Sequence, residues 1–311
     1  MMTNRWPKIA LATCEAQRTL ASEDRLLMQH LRRLGFPTEP LVWTSEADCA
    51  ESQVHETLVI VRSCWDYHIQ PARFLEWADS IGLKGGRVLN PPSTIRWNHD
   101  KRYLSDFQTS GVRIAPTVWV ETGAKSSLEQ IMEEAGWAEV VVKPAVSATA
   151  WRTIRVERQA VSRFERAFHE IVQSGCALVQ QFVKDVLTGG EWSFVFFDGV
   201  YSHAVLKRPA QLDFRVQHEF GGTVDRKARP HPGLIEAASF ALRQCPGDLP
   251  LYARVDGIET SGIEARDSLI IMEVELIEPA LFLDGDDAAA ARFARAIATR
   301  ADNWLAHRGL S

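Results

Sequence analysis

The sequence predicts an α/β unit followed by an α+β region, within a chain of 311 residues. Three observations predict this. Residues 1–95 alternate short apolar runs with segments of helical spacing, the pattern of a small parallel α/β unit. From Glu191 onward, apolar runs follow one another through turns, the pattern of a largely antiparallel sheet. The composition, 46% hydrophobic and 24% charged, is ordinary for globular proteins and gives ample core for one large or two to three small domains.

The elements follow in order. KIALATC (Lys8–Cys14) is a short apolar run and predicts a first strand. Ser22–Leu34 carries Leu26, Leu27, His30, Leu31 and Leu34 at helical spacing, and Gly35 supplies a stop. A second strand is predicted over Thr57–Ser63, a helix at PARFLEWADSIG, and a short strand at RVLNPP that two prolines end. A domain boundary falls near Pro91–Trp97. A helix is predicted after Asn98, then a strand at APTVWV, a helix at SSLEQIMEEAG and a buried strand at EVVVKPA. A helix over Ala160–Ser174 and a strand at ALVQQFV complete this part, with a second boundary near Gln181. EWSFVFFDG and VYSHAVLKR read as strands joined at Asp198–Gly199, because Asp-Gly favours a tight hairpin. LYARVDGI and SLIIMEVEL are further strands, and helices fill Pro232–Gln244 and Asp286–His307. The expected units are therefore 1–95, 96–180 and 181–311.

Several function classes are excluded early. A net charge of −5 leaves no basic footprint for nucleic acid. No apolar run approaches the ~20 residues of a membrane span. The N-terminal stretch has too short an apolar run for a cleavable signal peptide. Cys14, Cys49, Cys64, Cys176 and Cys245 are scattered without metal-ligand spacing, so reduced thiols in a cytoplasmic protein are expected.

The chemistry gathers late in the chain. Glu273 and Glu275 lie two apart in the predicted strand and so share one face. An antiparallel partner strand would set Asp256 against them. Three carboxylates on one face repel, and either a hard divalent cation or nearby Arg and Lys side chains would neutralise them. Lys143 ends a buried strand beside the small residues Ala145, Ser147, Ala148, Thr149 and Ala150, a loop whose backbone could approach an anion. It is neither a P-loop nor a Rossmann fingerprint, and a solvated strand end is the plain alternative. Lys207, Arg208 and Arg215 form a basic group, followed by Gly221 and Gly222, which permit close backbone approach; a charged surface hairpin is the alternative. Lysine loop, basic group and acidic trio together suit a Mg²⁺–nucleoside triphosphate.

With NHDKRYL, VVVKPAVSATA, ALVQQFV, GEWSFVFFDG, KRPAQLDFRVQHEFGG, RVDG and MEVELIEP in that order, the sequence resembles the ATP-grasp superfamily in its carboxylate-ligase branch. The resemblance spans residues 90–285 and extends weakly before them. Within the branch it is similar to the cycloserine-forming cyclo-ligases and, more distantly, to bacterial glutathione synthetases. It implies an N-terminal pre-ATP-grasp domain, a central lid, and ATP held between two α+β subdomains. It implies Lys101 and Lys143 at the ATP phosphates, and Ser147 to Ala150 in the loop that covers them. The backbone of Gln181, Phe182 and Val183 would meet adenine, and Glu191 the ribose. Arg215 and Lys207 would stabilise the transferred phosphoryl group, with Gln217, Gly221 and Gly222 facing the acceptor. Asp256, Glu273 and Glu275 would bind two Mg²⁺ ions. Two departures stand out: the covering loop is not glycine-rich, and Glu275 stands where the family commonly has Asn.

The activity so implied is an ADP-forming carbon–nitrogen ligase acting on a small, amino-acid-like substrate, with relatives that are often homodimers. A substrate carboxylate takes the γ-phosphate, and an amine-type nitrogen attacks the acyl phosphate. In the cyclo-ligase form both groups belong to O-ureido-D-serine. In VRSCWDYH, Arg62 could pair with the substrate carboxylate and Asp66 with its amino group; an aromatic packing corner is the alternative. Arg254 is a further carboxylate candidate. An intermolecular ligase and a non-catalytic nucleotide-binding module are the competing functions.

Overall fold

The structure is a computed structural model that describes residues 6–147, 151–211, 213–216, 220–262 and 264–307. Its strands β1 (Lys8–Thr13), β2 (Thr38–Val42), β3 (Thr57–Ser63) and β4 (Arg87–Leu89) form a parallel sheet in the order β2-β1-β3-β4. Every residue of β3 is buried, because helices cover both faces of the sheet. Leu27 and Leu31 of the Ser22–Arg33 helix pack on one face, and Phe74, Trp77 and Ile81 of the Pro71–Leu83 helix on the other. Strand β2 escapes the sequence reading because Glu39 and Pro40 interrupt it. An edge strand tolerates both.

A second, antiparallel sheet comprises β5 (Thr117–Val120), β6 (Glu139–Pro144), β7 (Ile154–Glu157) and β8 (Ala177–Gln181) in the order β5-β8-β6-β7. Helices Leu128–Glu134 and Glu165–Ser174 cover it. Strand β7 buries only Val156 completely, so its apolar signal is weak in the sequence. A third sheet holds β9 (Glu191–Phe197), β10 (Val200–Arg208), β11 (Thr223–Asp225), β12 (Tyr252–Glu259) and β13 (Leu269–Glu275), in the order β11-β10-β9-β12-β13. Asp198 and Gly199 both have positive φ, 52° and 75°, as the predicted hairpin between β9 and β10 requires.

The helix expected after Asn98 is two helices, Pro92–Asn98 and Tyr103–Thr109, broken at His99–Arg102. Ile95 of the first helix packs in the core of the first sheet, and the second helix packs on the third sheet. Tyr103, Leu104 and Phe107 share a core with Phe194, Phe196 and Val255. They also close the free edge of β13. Asn98 Nδ2 donates to the Val274 carbonyl at 2.7 Å, and the Leu276 N–H donates to Asn98 Oδ1 at 2.8 Å. Tyr103 Oη takes the Val274 N–H and returns a bond to its carbonyl. Asn90 ties β4 to the same region through Leu251, Tyr252 and Leu276.

The Asp287–His307 helix fills the joint between the first and third sheets, with Phe293 stacked on Phe197 at 4.6 Å between centroids. Arg62 lies in this joint and does not reach a substrate site, which corrects the expectation from the sequence. It is 1% exposed and pairs with Glu23 and Asp24, each at 2.8 Å. The Glu23 carboxylate also receives the N–H groups of Leu281 and Leu283. The basic residue expected for ligand recognition is thus a buried strut between three segments. No helix among the described residues is long and apolar enough to cross a membrane. Arg62→Met should strand two buried carboxylates and lower the unfolding free energy by about 3–5 kcal/mol, read from a urea melt. A loss below about 1 kcal/mol would contradict the strut.

Candidate active site

A cleft of about 460 Å³ is lined by residues of the second and third sheets, by Asn98 and Lys101, and by Trp65 and Tyr67, which follow β3. The acids sit on its floor through strand pairing. β12 and β13 run antiparallel, with Asp256 opposite Glu273 and Arg254 opposite Glu275. The closeness of the three carboxylates expected from the sequence is therefore present. They do not form a metal cage, however: among the described residues no three His, Cys, Asp or Glu side chains are arranged to hold an ion.

Basic side chains pair with each acid instead. Arg254 Nη2 contacts Asp256 Oδ2 at 3.0 Å and also pairs with Glu275, while its Nη1 donates to the Ala280 carbonyl at 3.1 Å. Lys207 Nζ lies 2.5 Å from Glu191 Oε1 and 3.2 Å from Asp256 Oδ2. Lys207 and Glu191 face each other across β10 and β9, so the ladder sets this pair. Ser193 Oγ adds a bond to Asp256 Oδ1 at 2.6 Å. Lys101 Nζ meets Glu273 at 2.9 Å and donates to the Ser147 carbonyl at 2.8 Å. Burial opposes ionisation of Asp256, but Arg254 and Lys207 outweigh it and hold the carboxyl down at about 2. Burial dominates at Glu275 and lifts it to about 7 despite Arg254. Glu273 is lowered, since Lys101 and Lys143 overcome its burial.

This geometry divides the expected metal ligands. Both oxygens of Asp256 are already engaged by Ser193, Arg254 and Lys207, so it orients the two cations. Glu273 and Glu275 stand on the cleft wall at the edge of the sheet. Two carboxylates of this kind fit Mg²⁺, which takes few protein oxygens and completes its shell with water and phosphate.

On the opposite wall, Lys143 of β6 enters the cleft with no hydrogen-bond or ion-pair partner among the described residues. Burial lowers its ammonium to about 8. Ser147 is buried beside it and donates to the Pro144 carbonyl at 3.3 Å. Gln181, Phe182 and Val183 line the cleft where β8 ends. Arg215 also lines it, with its guanidinium on Asp213 at 2.7 Å and over the Phe220 ring at 3.5 Å.

Other expectations are redirected. Asp66 accepts from Trp43 Nε1 at 2.7 Å and does not line the cleft, so it belongs to the aromatic corner of Trp43, Tyr67, Phe74 and Trp77. Gly221 and Gly222 are likewise not among its lining residues. Gln217 and positions 148–150 lie outside the described residues. Cys64 is fully buried and its thiol is pushed far up by burial, which makes it a core residue and not a nucleophile. The sequence reading missed Glu278, a buried acid that lines the cleft three residues after Glu275. Its signal was an acidic residue inside the apolar run ELIEP, just past the end of β13.

The state of Lys143 sets a pH dependence. Its charge is present below about 8 and is lost above it. An anionic ligand favours the charged form, so ATP affinity measured by calorimetry should fall as pH rises from 7 to 9. Lys143→Met should weaken that affinity by about tenfold to a hundredfold and flatten its pH response. An unchanged slope in the variant would remove Lys143 from the phosphate site.

Comparison with known proteins bears on this arrangement. Residues 9–90 match the family described as D-cycloserine synthetase DcsG, N-terminal domain. The cycloserine biosynthesis protein DcsG of Streptomyces lavendulae is 30% identical over 289 residues, covering 88% of this chain and 92% of that protein. The crystal structure of D-cycloserine synthetase DcsG superposes with a TM-score of 0.81 at 27% identity, covering 94% of this chain and 99% of that one. D-alanine–D-alanine ligase from Bacillus anthracis, in complex with ATP, shares the fold with a TM-score of 0.65 at 16% identity, covering 97% of this chain and 99% of that one. The chain has the ATP-grasp fold and belongs to the family of the cycloserine biosynthesis protein DcsG.

Proposed function

We propose that the protein is an ATP-dependent ligase that activates a substrate carboxylate as an acyl phosphate and closes it by attack of a nitrogen. The substrate we assign is O-ureido-D-serine and the product D-cycloserine. The observation that carries this reading is the two-sided cleft, in a chain of the DcsG family. Unpaired Lys143 stands on one wall, and the edge acids with Arg254 stand on the other.

In this mechanism Lys143 and Lys101 hold the triphosphate, and the backbone at Gln181–Val183 seats the base with Glu191 at the sugar. Glu273 and Glu275 would hold Mg²⁺, which would supply neutralisation of phosphate charge. Lys207 and Arg254, oriented by Asp256, steady the oxygens of the γ-phosphoryl group as a carboxylate oxygen attacks phosphorus and ADP leaves. Arg215 joins them from the cleft rim. Such a step depends chiefly on positioning and fixed charge. The ureido nitrogen bonded to oxygen then attacks the acyl carbon, and phosphate leaves. With one water, the carbamoyl group departs as carbon dioxide and ammonia. Among the described residues no histidine lines the cleft, and no imidazole base is assigned.

ADP release should appear with ATP, Mg²⁺ and O-ureido-D-serine alone, together with D-cycloserine by mass spectrometry. Release that requires an added amine would replace cyclisation with intermolecular ligation. Asp256→Asn should free Arg254 and Lys207 from their common anchor and cut kcat by about a hundredfold or more with the far-UV spectrum preserved. Near-normal turnover would remove Asp256 from the machinery.

A further inference from the structure

Of the described charged side chains that line the cleft, all but Lys143 and Glu278 are already in ion pairs. Lys143 is accounted for by a triphosphate. Glu278 has no role in the mechanism above. Its side chain is 9% exposed, faces the cleft, and among the described residues receives only its own backbone N–H. Burial pushes its carboxyl well above the usual range; Glu275 and Glu273 add to the effect, and Lys101 opposes it. The cations close by are committed elsewhere. Arg254 is held by Asp256, Glu275 and the Ala280 carbonyl, and Lys101 by Glu273 and the Ser147 carbonyl.

The surroundings of Glu278 come from the N-terminal unit. Trp65 Nε1 donates to the Glu278 backbone carbonyl at 3.3 Å, and Trp65 and Tyr67 both line the cleft. Trp65 is 36% exposed, which leaves ring surface open to a ligand. Burying an unpaired carboxylate is costly, and folded proteins seldom leave such a group without a partner. The missing partner is a cation small enough to enter the cleft. An organic ammonium satisfies both features, since it pairs with a carboxylate and is attracted to aromatic rings.

Resting on the ligase reading above, we infer that Glu278, with Trp65 and Tyr67, forms the subsite for the ammonium group of an amino-acid substrate. The two unpaired groups then sort the ligands by charge. Phosphate goes to Lys143 on the β6 wall, and the ammonium goes to Glu278 on the wall that Trp65 and Tyr67 complete. This subsite holds the α-ammonium, one carbon away from the carboxylate that reacts, and takes no part in proton transfer.

The test compares wild type with Glu278→Gln by calorimetry, in the presence of Mg²⁺ and a non-hydrolysable ATP analogue. The probes are O-ureido-D-serine, D-serine and the deamino counterpart of each. Wild type should prefer the ammonium-bearing compounds by about a hundredfold. Glu278→Gln should lose most of that preference, bind the deamino compounds as before, keep its nucleotide affinity, and melt at the same or a higher temperature. Trp65→Leu gives an independent arm, with about a tenfold loss confined to the ammonium-bearing probes. Equal preference in wild type and Glu278→Gln would overturn the subsite, as would failure of wild type to bind any ammonium-bearing probe. So would a Glu278→Gln enzyme with normal substrate affinity and a lowered kcat, the mark of a base. If the preference collapses as expected but O-ureido-D-serine is not turned over, the subsite stands and the substrate assignment fails.

Discussion

Asn98 and Tyr103 hydrogen-bond to the outer edge of β13, and the position of the cleft acids depends on those bonds. An edge strand presents unpaired backbone groups, and left open it can slip or pair elsewhere. A slip of one residue would turn Glu273 and Glu275 away from the cleft, because side chains alternate along a strand. The clasp comes from the segment that also carries Lys101, whose Nζ meets Glu273. One short stretch of chain therefore sets the register of the acidic strand and supplies a cation to one of its acids.

From that edge inward, charge is balanced pair by pair. Glu275, Arg254, Asp256, Lys207 and Glu191 form a continuous chain of opposite charges across β13, β12, β10 and β9. Buried ion pairs contribute little net stability, because desolvation offsets most of the attraction. In the proposed mechanism their value is preorganisation: guanidinium and ammonium groups are fixed in the cleft, where negative charge would develop during phosphoryl transfer. The same logic separates Arg62, whose ion pairs lie in the joint between two sheets and do not reach the cleft.

The parallel unit, the hairpin at Asp198–Gly199 and the pairing of β12 with β13 were legible in the sequence, since each rests on a local pattern. Apolar runs of strand length mark β1 and β3, an Asp-Gly pair marks the turn, and two strands around Glu259–Asp267 predict their own ladder. Strands β2 and β7 were not legible. An edge position lets β2 carry Pro40, and β7 buries too little apolar surface to leave a period.

By itself the sequence determined the kinds of group available, namely lysines at strand ends, a basic hairpin, and acids at spacing two. Their resemblance to a family followed from that order. Which acid meets which base was decided only by the tertiary structure, because ion pairing depends on distances between strands far apart in the chain. Arg62 and Asp66 carried the right chemistry for a ligand, yet packing turned one toward Glu23 and Asp24 and the other toward Trp43. Glu278 carried no distinguishing spacing. Its meaning arises from burial without a partner, a property that exists only once the walls of the cleft have closed around it.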